Sequence, residues 1–249
     1  MSHQPRFEGS GMPPSEPLDV VVINGKGGCG KTTVSTNLAV ALARRGWQPA
    51  LFDHDPQTSS MRWLSARDPG RPAIHGVATQ QRQGSGVTRS WQLRVPAGTR
   101  VVINDTPAGV AGLDIADHVR AARTILVPVL PSSIDIGAGA DFIRDLLLRA
   151  KVRPGDPSQR LGIIANRTRD HTLALQSLER FLEKLRIPVV ARLRDTQSYL
   201  HAAEQGLGIT ELPGHGRTLE RERRAWDELV EWACADTRPE RAGPGYGPR

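Results

Sequence analysis

The sequence predicts an α/β protein built on a mostly parallel sheet with helices on both faces. Three observations predict it. Short β-branched runs such as 18–24 and 101–105 alternate with helix-patterned segments along nearly the whole chain, the rhythm of strand–helix–strand crossovers. A glycine-rich loop joins the first of these runs to the first helical segment. With 249 residues, 38% hydrophobic and 24% charged, the chain is long enough and apolar enough to bury one substantial core.

In chain order, 18–24 reads as a buried strand and 33–45 as a helix with small and apolar residues on one face. A second strand spans 50–53. Strands at 101–105 and 124–129 flank a helix at 113–122, and a long helix covers 134–150. A strand at 161–165, a helix at 173–185 and a last strand at 188–193 follow, with helices near 196–205 and 216–233. Segment 70–98 is Gly/Gln/Arg-rich with weak periodicity and holds at most one strand, at 73–78. Residues 1–17 and 236–249 are too poor in apolar side chains to pack and read as disordered tails, leaving one domain over 18–235.

Two cysteines, Cys29 and Cys234, give neither a disulfide framework nor a CxxC pair, which fits a reducing cytoplasm. The N-terminus lacks an apolar core of signal-peptide length, and no run approaches the ~18 apolar residues of a membrane span. A soluble protein is expected. Net charge is +7 and the pI about 10.2, with 29 arginines and only four lysines. Such an excess attracts polyanions, nucleic acid or an anionic membrane surface, although a high arginine count also follows from the base composition of a gene.

The chemistry sits in the loop Gly25, Lys26, Gly27, Gly28, Cys29, Gly30, Lys31, Thr32, Thr33. It matches GxxxxGK[ST] after a strand and before a helix, the context that pattern requires. Glycines let backbone N–H groups converge on phosphate oxygens, and the helix N-terminus adds its dipole. Lys31 reaches the β/γ-phosphates and the Thr32 hydroxyl ligates Mg²⁺. ATP and Mg²⁺ are the cofactors this implies. Cys29 reads as a small filler with no catalytic task.

With Lys26 the loop becomes KGGxGKTT, which resembles the deviant Walker A loop of the ParA/MinD superfamily of P-loop ATPases. Asp53-His54-Asp55-Pro56-Gln57 resembles that family's first switch, DxDPQ. Asn104-Asp105-Thr106-Pro107-Ala108-Gly109, after Val101-Val102-Ile103, resembles its Walker B strand and second switch, and Pro131-Ser132-Ser133-Ile134-Asp135 its PSxxD stretch. The resemblance spans 18–233 and implies a single P-loop NTPase domain with ATPase activity. It makes Lys26 the signature lysine that crosses a dimer interface to the partner's phosphates, with charge stabilisation of the arginine-finger type. A solvated loop lysine is the plainer alternative. It also implies that Asp55 orients the attacking water, that Asp53 lies near the Mg²⁺ shell and that Asp105 holds Mg²⁺ through a water. Carboxylates placed after strands serve equally well as helix caps. Asn166 and Arg167 fit adenine recognition, since an amide donates to and accepts from the purine edge, but a turn-forming Asn fits that place too.

Within the superfamily the residues favour the small ParA type. Cluster cysteines and a tyrosine-rich tail are absent from the sequence, and 228–236 is acidic rather than a basic membrane helix. On a helix over 216–233, Leu219, Trp226, Val230 and Ala233 fall on one side and Arg217, Arg221 and Arg224 on the other. That arginine row, with Arg192 and Arg194, suits nonspecific DNA phosphates, or else is a salt-bridged solvated face. The expectation is a cytoplasmic, nucleoid-associated ATPase: a homodimer on ATP binding, stimulated by a cargo-bound protein, and not a membrane protein. A MinD-like membrane regulator and a nucleotide-gated scaffold with little hydrolysis are the alternatives.

Overall fold

Leu18–Val22 forms β1, and a short loop leads from it into helix α1, Lys31–Arg44. The computed structural model describes residues 16–79, 95–170 and 172–235. After α1 come β2 (Pro49–Asp53), α2 (Ser59–Ser65), β3 (His75–Ala78), β4 (Val101–Asp105) and α3 (Leu113–Val119). β5 (Thr124–Val129), α4 (Ser133–Leu148), β6 (Arg160–Thr168), α5 (Leu173–Leu185) and β7 (Val189–Arg194) continue the alternation. Helix α6 (Ser198–Glu204), a 3-10 turn (Ile209–Glu211) and α7 (Arg217–Cys234) close the described chain.

The seven described strands are all parallel, in the order β3-β2-β4-β1-β5-β6-β7. The chain runs outward from β1 to one edge, returns through β4, and then builds the other half from β5. β1 therefore lies at the switch point, and the loop leaving its C-terminal end opens into the crevice where doubly wound sheets bind ligands.

Both faces of the sheet are covered, which is why its strands are apolar on successive residues. Val20 and Val22 pack with Leu51 and Ile103 against Val34, Leu38 and Leu42 of α1 and Trp226, Leu229 and Val230 of α7. Their neighbours Val21 and Ile23 point the other way, onto Ile115 of α3 and, with Ile125, Val127 and Ile163, onto Ile143, Leu146, Leu178 and Leu182 of α4 and α5. Small residues let α1 lie close: Ser35, Ala39, Ala41 and Ala43 are all buried.

Polar ties fix the corners. Trp226, 0% exposed, donates from Nε1 to the Tyr199 hydroxyl at 3.0 Å. That hydroxyl donates to buried Glu222 at 2.5 Å, joining α6 to α7. A two-pronged pair of 2.8 Å bonds runs from buried Arg67 to Glu211, holding the end of α2 to the 3-10 turn.

The α/β class and the element order match the sequence reading, with the sheet fully rather than mostly parallel in its described strands. Two elements were not read: α2 and the 3-10 turn, seven and three residues long, too short to show periodicity. Helix α1 starts two residues earlier than the pattern suggested, α3 stops at Val119, and β6 runs on to Thr168. The strand expected at 73–78 is β3. Residues 80–94 of the least readable segment, and nearly all of both expected tails, lie outside the described residues.

Candidate functional site

The loop at 23–30 is anchored before it turns. Ile23 N–H donates to Leu126 O at 3.0 Å, and the Asn24 amide donates to Pro128 O at 2.8 Å and accepts Lys26 N–H at 2.9 Å. Two glycines have no substitute. A Cβ on Gly25 would lie 2.9 Å from the Val110 carbonyl oxygen. Gly30 sits at φ 97°, and a Cβ there would run into the Asn166 amide. Helix α1 starts at Lys31 with no side-chain cap, so the first-turn N–H groups face the loop's concavity and their positive end remains for a ligand.

The two loop lysines face different ways. Lys31, 7% exposed, donates from Nζ to Asn24 O at 3.0 Å and Lys26 O at 3.1 Å. Two of its three N–H donors thus aim the ammonium within the loop, and the third stays available. The Lys26 ammonium instead leaves its own loop and pairs with Asp135 at the start of α4. Asp135 is held in turn by Ser132, the α4 N-cap, whose Oγ accepts Asp135 N–H at 3.1 Å and bonds its carboxylate. The sequence singled out the 131–135 stretch but gave Asp135 no task. An acid at the start of a helix that follows a strand was the available signal.

The acidic side forms where β2 and β4 end next to each other, Asp53 opposite Asp105 in register. Both are 0% exposed. The Asp105 carboxylate receives Ser35 Oγ at 3.2 Å and the Ser60 hydroxyl, and the Thr32 side chain lies against it. Burial pushes its pKa up to about 6. Asp53 accepts Asp55 N–H on Oδ1 at 3.0 Å, and Ser60 and Met61 N–H on Oδ2 at 2.9 and 3.2 Å. These bonds cap α2 and shape the 54–58 loop, with both oxygens engaged by backbone. Burial raises its pKa as well. Ser60 was missed because it belongs to the unread helix. Asp55 is half-buried and accepts Gln57 N–H at 2.9 Å.

The residues present fit a Mg²⁺-nucleotide. Two buried carboxylates side by side, with the Thr32, Ser35 and Ser60 hydroxyls against one of them, form an oxygen donor set short of positive charge. Thr32 and Asp105 are the residues that would hold the metal. Asn166 lies behind the loop, donating to Cys29 O at 2.8 Å and accepting Arg167 N–H at 3.0 Å. One amide hydrogen and one lone pair remain open. Arg167 is exposed at φ 50°. Cys29 is buried, its thiol pKa raised by that burial, in keeping with a filler.

The model of the CobQ/CobB/MinD/ParA nucleotide binding domain matches residues 20–209, most of the chain. The chain belongs to this family. Members of the ParA/MinD family are ATPases. Two curated relatives share one name, maintenance of carboxysome distribution protein A. The one from Halothiobacillus neapolitanus is 28% identical over 215 residues, 83% of this chain and 93% of its own length. That from Gloeobacter kilaueensis is 32% identical over 218 residues, 86% of this chain and 95% of its own length. Among solved structures, a Cyanothece McdA variant in complex with ATP superposes with a TM-score of 0.60 at 16% identity, covering 87% of this chain and 96% of that one.

The arginines expected on a ParA-type DNA surface divide into two groups. Arg192 pairs with Glu179, and Arg194 and Arg221 both reach Asp170. Arg217 and Arg224 are exposed and make no ion pair among the described residues. No helix in the described residues is long and apolar enough to cross a membrane.

Proposed function

We propose that this protein is a ParA-type positioning ATPase. Binding of Mg·ATP closes two copies into a dimer, the dimer binds DNA without sequence preference, and a cargo-bound protein stimulates hydrolysis and release. Phosphates sit on the α1 N-terminus and Lys31, with the metal held by Thr32 and Asp105. Asp55, at the mouth of the site, orients the attacking water. Mg²⁺ held by Thr32 and Asp105 would supply charge stabilisation to the phosphates. Asn166 and Arg167 offer the adenine edge one donor and one acceptor.

The observation that carries the dimer is the direction of Lys26. Its ammonium is held by Asp135, away from its own phosphate loop, while Lys31 alone serves that loop. A second lysine so placed is suited to the phosphates of another subunit. The carboxysome-distribution names of the relatives favour an intracellular body as cargo over a plasmid or chromosome origin. Light scattering with ATP, ADP and no nucleotide tests this reading. The dimer should form with ATP and be lost in Lys26→Ala, which keeps nucleotide binding and loses hydrolysis ~100-fold or more. A monomer under all three conditions would contradict it.

A further inference from the structure

We propose that His54 is a positioning residue for hydrolysis. Its ring fastens the turn that carries Asp55 to β4 through Asn104 and to α3 through His118, so that two segments flanking the phosphate loop shift together. The inference rests on the ATPase reading above and adds a residue that reading left without a task.

The turn after β2 is shaped by its own hydrogen bonds. Asp55 accepts Gln57 N–H on its carboxylate and Thr58 N–H on its carbonyl, both at 2.9 Å, and its own N–H goes back to Asp53. Thr58 ends the turn at φ 49°, a left-handed conformation disfavoured for a β-branched residue. His54 ties this turn sideways to the neighbouring strand. Its backbone N–H donates to Asp105 O at 2.9 Å, and its Nε2 lies 2.8 Å from Asn104 Oδ1.

The partners decide which ring nitrogen donates. The Asn104 amide nitrogen is committed to Asp19 Oδ1 at 2.8 Å, with Val20 O at 3.4 Å, so the amide turns its oxygen to the ring. Nε2 is therefore the donor, and Nδ1 is left to meet the Thr79 hydroxyl at 3.2 Å. The hydrogen bonds thus run in one direction, from Thr79 through His54 and Asn104 to Asp19 on β1, and each polarises the next.

The second hold is the ring face. His118, in the last turn of α3, meets the His54 ring edge-on with 5.4 Å between centroids. Helix α3 follows the 106–112 loop, which lies against the phosphate loop, Gly109 N–H donating to Gly25 O at 2.8 Å. That loop enters the helix through Gly112, at φ 61° and ψ −127°, a combination open to glycine. The helix is seven residues long, starts without a side-chain cap and leaves Leu113 85% exposed. Such an element shifts easily on its glycine joint, and the contact between His118 and His54 carries its position to the turn bearing Asp55. A displacement of about 1 Å in a water-orienting group costs up to ~100-fold in rate, so a tie that only places Asp55 affects hydrolysis without touching nucleotide.

The test pairs steady-state ATP hydrolysis with amide hydrogen exchange of the nucleotide-free chain. His54→Gln keeps a donor near the place of Nε2, His54→Asn puts its donor nearer that of Nδ1, and Asn104→Leu removes the acceptor. His54→Asn and Asn104→Leu should each lower kcat about 10-fold with the KM for ATP within about twofold, while His54→Gln stays within about threefold of the parent. The His54→Asn/Asn104→Leu double should be no slower than the slower single, as befits residues acting as one unit. With His54→Asn, exchange should rise in both 55–60 and 114–119, because the tie joins segments far apart in the chain. Faster exchange in 55–60 alone, or an unchanged kcat, overturns the proposal and leaves the ATPase reading standing. Where Asn104→Leu does not fold, His118→Ala decides from the helix side. It should raise exchange in 55–60 and lower kcat about threefold, and an unchanged value of either contradicts the coupling. No hydrolysis by the parent overturns the ATPase reading, and the role of His54 with it.

Discussion

At the scale of single residues, the site depends on which groups are held and which are left open. Lys26 is bound to Asp135 in a partly buried pair, the two side chains 34% and 12% exposed, worth on the order of 1 kcal/mol. Reaching another subunit requires breaking it. Asp135→Asn should therefore lower the ATP concentration for half-maximal dimer formation by roughly threefold to fivefold, a change readable by light scattering. An unchanged or higher midpoint would mean the pair does not restrain Lys26. Gly30 and Asn166 illustrate a second kind of dependence. The left-handed turn at Gly30 and its lack of a Cβ let Asn166 lie against the loop, so one residue's smallness positions the other's amide.

Among the elements, α7 bears two functions on one helix: Trp226, Leu229 and Val230 fill the core while Arg217 and Arg224 face outward. Trp226→Ala should cost about 3–5 kcal/mol in denaturant unfolding, from the cavity and from the lost bond to Tyr199. A loss below ~1 kcal/mol would contradict the packing described. The two-sided pattern of this helix was legible in the sequence, as were the phosphate loop and the strands that end at Asp53 and Asp105, because period and local motif carry them. What was not legible depends on partners far along the chain. The bonds by which Asp53 caps α2 appear only once Ser60 and Met61 fold back onto it. His54, unassigned in the switch motif, bonds Asn104 at 2.8 Å and meets the His118 ring of α3 edge-on, 5.4 Å between centroids. Nothing in the spacing of 54, 104 and 118 announces that cluster. Ion pairing likewise divides an arginine row that sequence alone shows as uniform.

For the whole molecule, the partly buried Asp19 contributes a pH dependence of its own. Asp19 on β1, bonded by the Asn104 amide at 2.8 Å, has its pKa raised by burial to about 6. Its folded value exceeds its unfolded value, so the folded state binds more protons between the two. This group's contribution is therefore most favourable at pH below about 4 and is lost as pH rises through 6. Asp19→Asn should stabilise the protein by about 1–3 kcal/mol at pH 7 and by little at pH 4. Urea midpoints of both forms at the two pH values check the sign. A larger gain at pH 4 would contradict it.

The central claim is that nucleotide state governs a DNA-binding dimer, and its most direct test is retention on nonspecific double-stranded DNA with ATP, ADP and no nucleotide. Retention with ATP alone, stronger in Asp55→Ala and falling steeply with salt, is the predicted result. Equal retention in all three states, or none in the ATP-loaded Asp55→Ala form, would contradict it.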